Sequence, residues 1–391
     1  MFRALFPLPR SVWLLGLVSL VNDSASELVY PLVPLYLSGV LMAGPRVLGL
    51  IEGVAEAMAS LLKLWAGVMV DRSGRSKPWV VAGYGLAGLA RPLIAFVVGW
   101  PMLLALRLAD RMAKAVRAAP RDALLAAHIA PGQRGLAFGL HRAMDNAGAV
   151  IGPLLAWALL SAGLPLGQVF LWAVVPGAGC VGLTLALREA PPPAATPPRF
   201  SWTLASLPVP LRRYLVVVAL FTLGNSSNMF LLLRAKELGV AEAQVPLLWA
   251  AVSGVAALFS VPLGGLSDRI GRVRLLVAGY LAYAGFYLGM GWFAAPGWSL
   301  YCLFGCYGIF MAATEGVERA LLADLTPPEQ RGTAYGWLNL TVGAVLLPAS
   351  LLFGWLWEGT SARLAFSFSA TCALGAALLL PPAIRAPRVR Q

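Results

Sequence analysis

The sequence predicts an all-α membrane protein with twelve transmembrane helices, arranged as two six-helix bundles with pseudo-twofold symmetry. Three observations predict this fold: an apolar composition, twelve long apolar runs and an internal repeat. Of the 391 residues, 59% are hydrophobic and 12% are charged, whereas soluble domains carry about 25% charged residues. Lipid must therefore be part of the solvent of this chain.

Twelve apolar runs are each long enough to cross a bilayer, which takes about 20 residues of helix. The first run follows a short basic segment and is itself long enough to span, so we expect no cleavable signal peptide. The predicted spans are 11–38, 46–70, 78–98, 101–120, 137–161, 167–187, 213–234, 243–263, 273–293, 297–318, 333–356 and 363–384.

Basic residues concentrate in alternate connections between these runs. The connections 71–77, 117–134 and 269–274 each carry several arginines, whereas 99–101 and 294–297 carry no charge. Because positively charged connections remain in the cytoplasm, we predict cytoplasmic termini and a location in the cell inner membrane. The net charge of +13 is spread over these connections, so the expected partner is the lipid bilayer and not nucleic acid.

An internal repeat relates the two halves of the chain. Residues 121–139 align without gaps to 318–336 at an offset of 197, and ten of nineteen positions are identical. Residues 67–75 match 264–272 at the same offset. Six spans per half bring both halves into the membrane from the same side, which is a parallel repeat about an axis along the membrane normal.

A proline-rich stretch lies between the two halves. It is the longest non-apolar segment of the chain, and its prolines oppose helix formation. A segment of this composition is typical of a linker. We therefore predict an N-terminal bundle at 1–187, a cytoplasmic linker at 188–211 and a C-terminal bundle at 212–391.

The sequence GVMVDRSGRSK at 67–77 resembles the loop between helices 2 and 3 of the major facilitator superfamily. A partial copy lies at 264–274, between predicted helices 8 and 9. The resemblance covers the whole chain and implies a secondary transporter that works by alternating access, with these loops as a cytoplasmic gate. The alternative is that the arginines of these loops only fix the orientation of the chain in the membrane, without forming a gate. The implied gate residues are Gly67, Asp71, Arg72, Gly74, Arg75, Asp268, Arg269, Gly271 and Arg272.

Two further motifs on predicted helices resemble the same family. Gly148, Gly152 and Pro153 on helix 5 resemble the motif of the antiporter branch, although the small residues that usually follow are absent. Glycines permit close helix packing and a proline removes one backbone hydrogen bond, so a bendable helix is expected. Arg107 resembles the conserved arginine of a helix-4 motif, with Asp110 and the next arginine in place of the usual Gln-Gly. Antiport and efflux are implied by this resemblance alone.

Ionisable residues within the predicted spans concentrate in the N-terminal half. Such groups are costly in a bilayer unless they face a cavity or a partner, so function is the expected reason for them. Asp23 and Glu27 are four residues apart on helix 1, and two carboxylates so close do not readily ionise together. We predict that they carry the proton, with Asp23 deeper, Glu27 facing the substrate and Arg107 tuning both. The predicted coupling and cavity residues are Asn22, Asp23, Glu27, Tyr30, Glu52, Glu56, Arg91, Arg107, Asp110, Arg111, Asn225 and Asn228.

The leading functional hypothesis is proton-coupled export of small amphipathic molecules. The alternative is a carrier of a small organic or inorganic anion that binds to Arg91, Arg107 and Arg111. A purely structural role of the buried charges, as salt bridges between helices, also stays open. We expect a monomer.

Catalytic and metal-binding signatures point away from an enzyme. The chain has two histidines, and neither an H-E-x-x-H nor a G-x-S-x-G motif nor a phosphate-binding glycine loop is present. Cys302 and Cys306 share a helical face, but no histidine lies nearby to complete a metal site. We expect neither a metal nor a cofactor.

Overall fold

The computed structural model describes residues 9–73, 76–128, 134–189, 203–327 and 330–384. All regular elements in these ranges are helical. The first eight helices are α1 (Arg10–Val29), α2 (Val33–Gly39), α3 (Pro45–Ser73), α4 (Lys77–Leu93), α5 (Trp100–Ala127), α6 (Arg134–Ser161), α7 (Leu166–Leu171) and α8 (Val174–Leu185). The remaining seven are α9 (Val209–Gly224), α10 (Met229–Glu237), α11 (Val245–Ile270), α12 (Arg272–Leu288), α13 (Trp298–Asp324), α14 (Arg331–Gly359) and α15 (Ala362–Ile384).

Three predicted spans are divided into shorter helices. A 3₁₀ turn at Tyr30–Leu32 separates α1 from α2, because Pro31 and Pro34 have no backbone N–H to continue the α-helical ladder. Residues 225–228 between α9 and α10 are not helical. The sixth predicted span is divided in the same way into α7 and α8. Each division leaves polar backbone groups that neighbouring side chains must satisfy.

In the described part of the chain, ten helical segments are long and apolar enough to cross a membrane. Helices α3 and α5 coincide with predicted spans 46–70 and 101–120 but do not belong to those ten. Helix α5 carries Arg107, Asp110 and Arg111 among its charged residues and continues past Pro120 to Ala127. The all-helical membrane fold is confirmed, and the count of twelve transmembrane helices stays a prediction.

The chain divides into two compact units. The first comprises Met1–Ala43, Val54–Pro197 and Val240–Ser253, and the second comprises Gly44–Gly53, Pro198–Gly239 and Gly254–Gln391. Helices α3 and α11 therefore each contribute residues to both units. The predicted bundles 1–187 and 212–391 stay a prediction, and residues 190–202 of the predicted linker lie outside the described ranges.

Each unit has its own apolar core. In the first unit, α1 packs against α6 and α8, and fully buried Leu15, Val18 and Tyr84 belong to its hydrophobic cluster. In the second unit the core is rich in aromatic rings. Phe221 stacks on Tyr280 with ring centroids 4.1 Å apart. Burial of such large rings contributes about 1.5–3 kcal/mol each when they leave water.

Helix α6 meets α1 through the predicted glycine motif. A Cβ atom at Gly152 would lie 2.6 Å from the carbonyl oxygen of Ser24 and 2.7 Å from the backbone nitrogen of Leu28. A Cβ atom at Gly148 would lie 3.0 Å from the Cβ of Asp23. Pro153 follows inside α6. The absence of side chains at both glycines therefore lets α6 approach the backbone of the helix that carries Asp23.

We expect Gly152→Ala to destabilise the protein by about 1–3 kcal/mol, because the new methyl group would press on backbone atoms that cannot move aside. Gly182→Ala is the matched control, since a Cβ at Gly182 in α8 would meet no atom within 4 Å. Thermal unfolding of the purified variants in detergent measures both effects. Equal melting temperatures for the two variants would contradict the close packing of α6 on α1.

Candidate functional site

A buried network of arginines and carboxylates lies in the first unit, where α4 and α5 meet α1. Arg91 is 3% exposed, and its Nε donates a hydrogen bond of 2.9 Å to Oδ1 of Asp110. Its Nη1 donates to the backbone oxygen and to Oδ1 of Asn22, at 3.1 and 3.0 Å. A buried guanidinium needs several acceptors of this kind to offset its loss of hydration.

The two other predicted arginines also lie beside carboxylates. Nη1 of Arg107 lies 3.7 Å from Oδ2 of Asp110, and Nε of Arg111 lies 2.9 Å from Oε1 of Glu56. Both guanidinium groups face the ring of Tyr30, at 6.0 and 5.9 Å from its centroid. The three arginines of this network therefore share two carboxylates, and two of them also lie over one aromatic ring.

The two acids of α1 have a different environment. Oδ1 of Asp23 accepts a hydrogen bond of 2.8 Å from the amide of Asn22. Oε2 of Glu27 accepts one of 2.7 Å from the indole Nε1 of Trp249, whose ring lies 5.1 Å from that of Tyr30. Among the ion pairs of the described residues, none includes Asp23 or Glu27. These hydrogen bonds to the two carboxylates therefore come from neutral donors.

The second unit contains a smaller polar group around the non-helical residues 225–228. Glu52 is 1% exposed and accepts a hydrogen bond of 3.3 Å from the hydroxyl of Ser227. Oδ1 of Asn228 accepts one of 2.5 Å from the hydroxyl of Tyr307. The backbone nitrogen of Asn225 closes the last turn of α9 on the carbonyl groups of residues 221 and 222. Side chains also satisfy part of the polar backbone here, since the hydroxyl of Ser227 accepts a hydrogen bond of 3.3 Å from the backbone nitrogen of Met229, and the hydroxyl of Tyr283 donates one of 2.9 Å to the carbonyl oxygen of Gly224.

The structure therefore separates the predicted cavity residues into two groups. Asn22, Asp23, Glu27, Tyr30, Glu56, Arg91, Arg107, Asp110 and Arg111 belong to the first unit, and Glu52, Asn225 and Asn228 belong to the second. Arg107, predicted to tune the acids of α1, has Asp110 and Tyr30 as its observed neighbours. Three hydrogen-bond donors were not among the predicted site residues, namely Trp249, Ser227 and Tyr307. In the sequence, the only sign that these residues could belong to the site is the hydrogen-bond donor that each side chain carries.

The second copy of the predicted gate loop is described in part, and the first is not. Gly271 has a φ of 95°, a left-handed conformation that glycine adopts without strain. Nε of Arg272 lies 2.9 Å from Asp324 at the end of α13, and its Nη2 lies 3.6 Å from Asp268. Arg269 is exposed. Of the first copy, Gly74 and Arg75 lie outside the described residues. The same holds for the side chains of Asp71 and Arg72 and for the surroundings of Gly67.

Metal binding has no visible basis in the ranges that the structure describes. They contain no group of three or more His, Cys, Asp or Glu side chains placed to hold an ion. Cys302 and Cys306 are exposed on α13 and carry free thiols. The chemistry available at the candidate site is therefore that of carboxylates, guanidinium groups and aromatic rings.

Comparison with known proteins covers the whole chain. The family model of the Major Facilitator Superfamily matches residues 15–233 and 214–391. The MFS-type transporter MJ1317 of Methanocaldococcus jannaschii is 33% identical over 380 residues, covering 95% of this chain and 94% of that protein. Multidrug resistance protein MdtG of Enterobacter lignolyticus is 27% identical over 346 residues, covering 83% of this chain and 78% of that protein.

The fold has close counterparts among solved structures. The crystal structure of the D323A mutant of the nucleoside transporter NupG superposes with a TM-score of 0.81, covering 96% of this chain and all of that one, at 13% identity. At this identity the similarity concerns the fold alone, and it confirms the predicted fold class. Together with the family match over both halves, it shows that the chain is a member of the major facilitator superfamily of membrane transporters.

Proposed function

We propose that this transporter couples the export of small amphipathic molecules to the entry of protons, through alternating access. The observation that carries the proposal is the contrast between its buried acids and its buried arginines. Asp23 and Glu27 accept hydrogen bonds from neutral donors, whereas Arg91, Arg107 and Arg111 lie beside Asp110 or Glu56. A buried carboxylate that forms no ion pair within the described part of the chain is the kind of group that gains and loses a proton during transport.

The chemistry of such a group is simple. When one side of the membrane is open, a carboxylate on α1 takes a proton onto one oxygen and becomes neutral. When the other side opens, the proton leaves and the restored carboxylate attracts a cationic or strongly dipolar substrate. Proton and substrate then compete for the same oxygen atoms, so each cycle exchanges one for the other.

The alternative function, transport of a small anion, has less support from the same geometry. An anion would bind best to a guanidinium group that has no carboxylate beside it. Asp110 lies beside both Arg91 and Arg107, and Glu56 lies beside Arg111. An incoming anion would therefore approach each of these arginines against the negative charge of Asp110 or Glu56, or would have to displace that carboxylate at a cost of several kcal/mol.

Sequence relatives support the drug-like character of the proposed substrate. MdtG is named a multidrug resistance protein and is similar over 83% of this chain. We propose that this protein exports drug-like molecules. We also propose that it is a monomer in the cell inner membrane with both termini in the cytoplasm. We also assign the cytoplasmic gate to the two repeated loops, whose second copy places Arg272 between Asp268 and Asp324. The protein acts on its substrate as a carrier and not as an enzyme.

A ligand-stabilisation screen at two pH values tests the substrate class. We expect hydrophobic cations to raise the melting temperature of the purified protein, and to do so more at the higher pH, because protons compete for the same carboxylates. At a ligand concentration of about 100 times the Kd, the stabilisation is about 2.7 kcal/mol. Stabilisation by small anions alone would favour the alternative function and contradict the proposed one.

A further inference from the structure

We propose that Trp249 is a positioning residue that holds the Glu27 carboxylate in its charged form until a proton arrives. The inference rests on the proposed function, since it concerns how the carboxylate that couples transport to protons is kept in its charged form. Trp249 lies near the start of α11, in the segment Val240–Ser253 that belongs to the same unit as Glu27. Its indole nitrogen lies 2.7 Å from Oε2 of Glu27.

The geometry of the indole is fixed by its neighbours. Trp249 is 6% exposed and Tyr30 is 8% exposed, and their rings lie 5.1 Å apart with 34° between their planes. Tyr30 in turn lies beneath the guanidinium groups of Arg107 and Arg111. The N–H of Trp249 therefore points at Glu27 from a ring that packing holds in place, so the hydrogen bond needs little rearrangement.

The indole nitrogen can only donate a hydrogen bond. A charged carboxylate is a strong acceptor, and a protonated carboxyl group is a weaker one. The bond is therefore strongest when Glu27 is charged and weakens when a proton binds. Because Trp249 belongs to the segment Val240–Ser253, proton uptake by Glu27 weakens one of the contacts between this segment and the rest of the first unit.

Other groups around Glu27 do not substitute for this donor. Asp23 is a second acid one turn earlier on the same helix, and the nearby cations Lys114 and Arg111 are both carried by α5. Arg111 lies beside Glu56 of α3, and α6 presents the bare backbone of Gly152 to Glu27. Within the part of the chain that the structure describes, the indole of Trp249 is the group that donates a hydrogen bond to the Glu27 carboxylate.

The test is an infrared titration of the purified full-length protein in lipid nanodiscs. The carboxylic C=O stretch of Glu27 is assigned as the band that Glu27→Gln removes. We expect Trp249→Phe, which removes the N–H and keeps an aromatic ring, to move the midpoint of this band upward by about one to two pH units. The sign follows because loss of the donor destabilises the charged form.

Trp357→Phe is the matched control. The indole of Trp357 donates a hydrogen bond of 3.1 Å to Glu237 in the second unit, so this variant removes the same kind of bond elsewhere. We expect it to leave the Glu27 band unchanged. An unshifted band in Trp249→Phe would overturn the inference, as would equal shifts in both variants.

A second measurement does not depend on any tryptophan variant. In the wild-type chain labelled with 5-fluorotryptophan, one of the thirteen tryptophan signals should titrate with the midpoint of the Glu27 band. That signal should lose its pH dependence in Glu27→Gln. If no tryptophan signal titrates with the Glu27 band in the wild-type protein, the inference is overturned. Neither readout uses substrate. If transport proves not to be coupled to protons, the proposed function is wrong but both titrations can still give the expected result. If the band does not shift, only the role of Trp249 is wrong.

Discussion

Glu27→Gln is expected to reduce substrate accumulation driven by a proton gradient to the level of protein-free vesicles. The amide keeps the size and the hydrogen-bond acceptor of the side chain but cannot bind or release a proton. Exchange of labelled for unlabelled substrate, without a proton gradient, should weaken but not vanish, because exchange needs no net protonation and only the charge that attracts the substrate is lost. Inside-out membrane vesicles that express the variant measure the first effect, and proteoliposomes measure the second.

Glu358→Gln serves as the control for this experiment. Glu358 lies beside Arg46 at 3.7 Å, and its side chain is 39% exposed, so its neutralisation should leave accumulation near the wild-type level. Undiminished accumulation in Glu27→Gln would show that another acid carries the proton. Asp23 would then be tested first, followed by Glu52 and Glu56.

Asp110→Asn is expected to lower the free energy of unfolding by about 3–5 kcal/mol. Asp110 is 4% exposed and lies between two guanidinium groups, at 2.9 Å from Arg91 and 3.7 Å from Arg107. The amide would remove the negative charge that lies beside both buried cations. Arg91→Met should cost less, because Asp110 keeps Arg107 as a partner.

Asp122→Asn provides a control on the same helix. Asp122 pairs with Arg121 at 3.0 Å, but its side chain is 50% exposed, so the expected loss is about 0–1 kcal/mol. Denaturant titration of the purified variants in mixed micelles measures all three. Equal losses for Asp110→Asn and Asp122→Asn would contradict a structural role of the buried network.

The fold could be predicted well because the bilayer imposes a length on each spanning helix. Long apolar runs have few alternatives in lipid, where every backbone polar group must be satisfied within the protein. The repeat of 121–139 at 318–336 then indicated two related halves. The division of the seventh span at residues 225–228 was not predicted. An apolar run does not reveal where neighbouring side chains, such as Tyr283 on the carbonyl oxygen of Gly224, replace helical hydrogen bonds.

The partners of the buried charges were harder to predict than their presence. Glu52 and Glu56 are four residues apart on one face of α3, so helical spacing alone would place them side by side. Instead, Glu52 accepts a hydrogen bond from Ser227 in the second unit, and Glu56 lies beside Arg111 in the first. Helical spacing fixes the face that a residue occupies, but the partner depends on which neighbouring helix packs there.

Trp249 illustrates the same limit for aromatic residues. In the sequence, Trp249 lies within the apolar run 243–263, a pattern that indicates only ordinary helix packing. The structure shows that it does pack, against Tyr30, and that its polar nitrogen also meets Glu27. A tryptophan in a membrane helix carries an apolar body and one N–H donor, and only the tertiary structure reveals whether that donor faces an acid.

The most direct test of proton-coupled export is proton movement measured together with substrate movement. Wild-type protein is reconstituted into liposomes with a pH-sensitive dye inside, and the ligand that stabilises it most in the screen is added outside. We predict that protons leave the lumen as substrate enters, at a fixed ratio, and that Glu27→Gln abolishes this proton flux. Substrate entry without proton movement, or with protons moving in the same direction, would contradict the account.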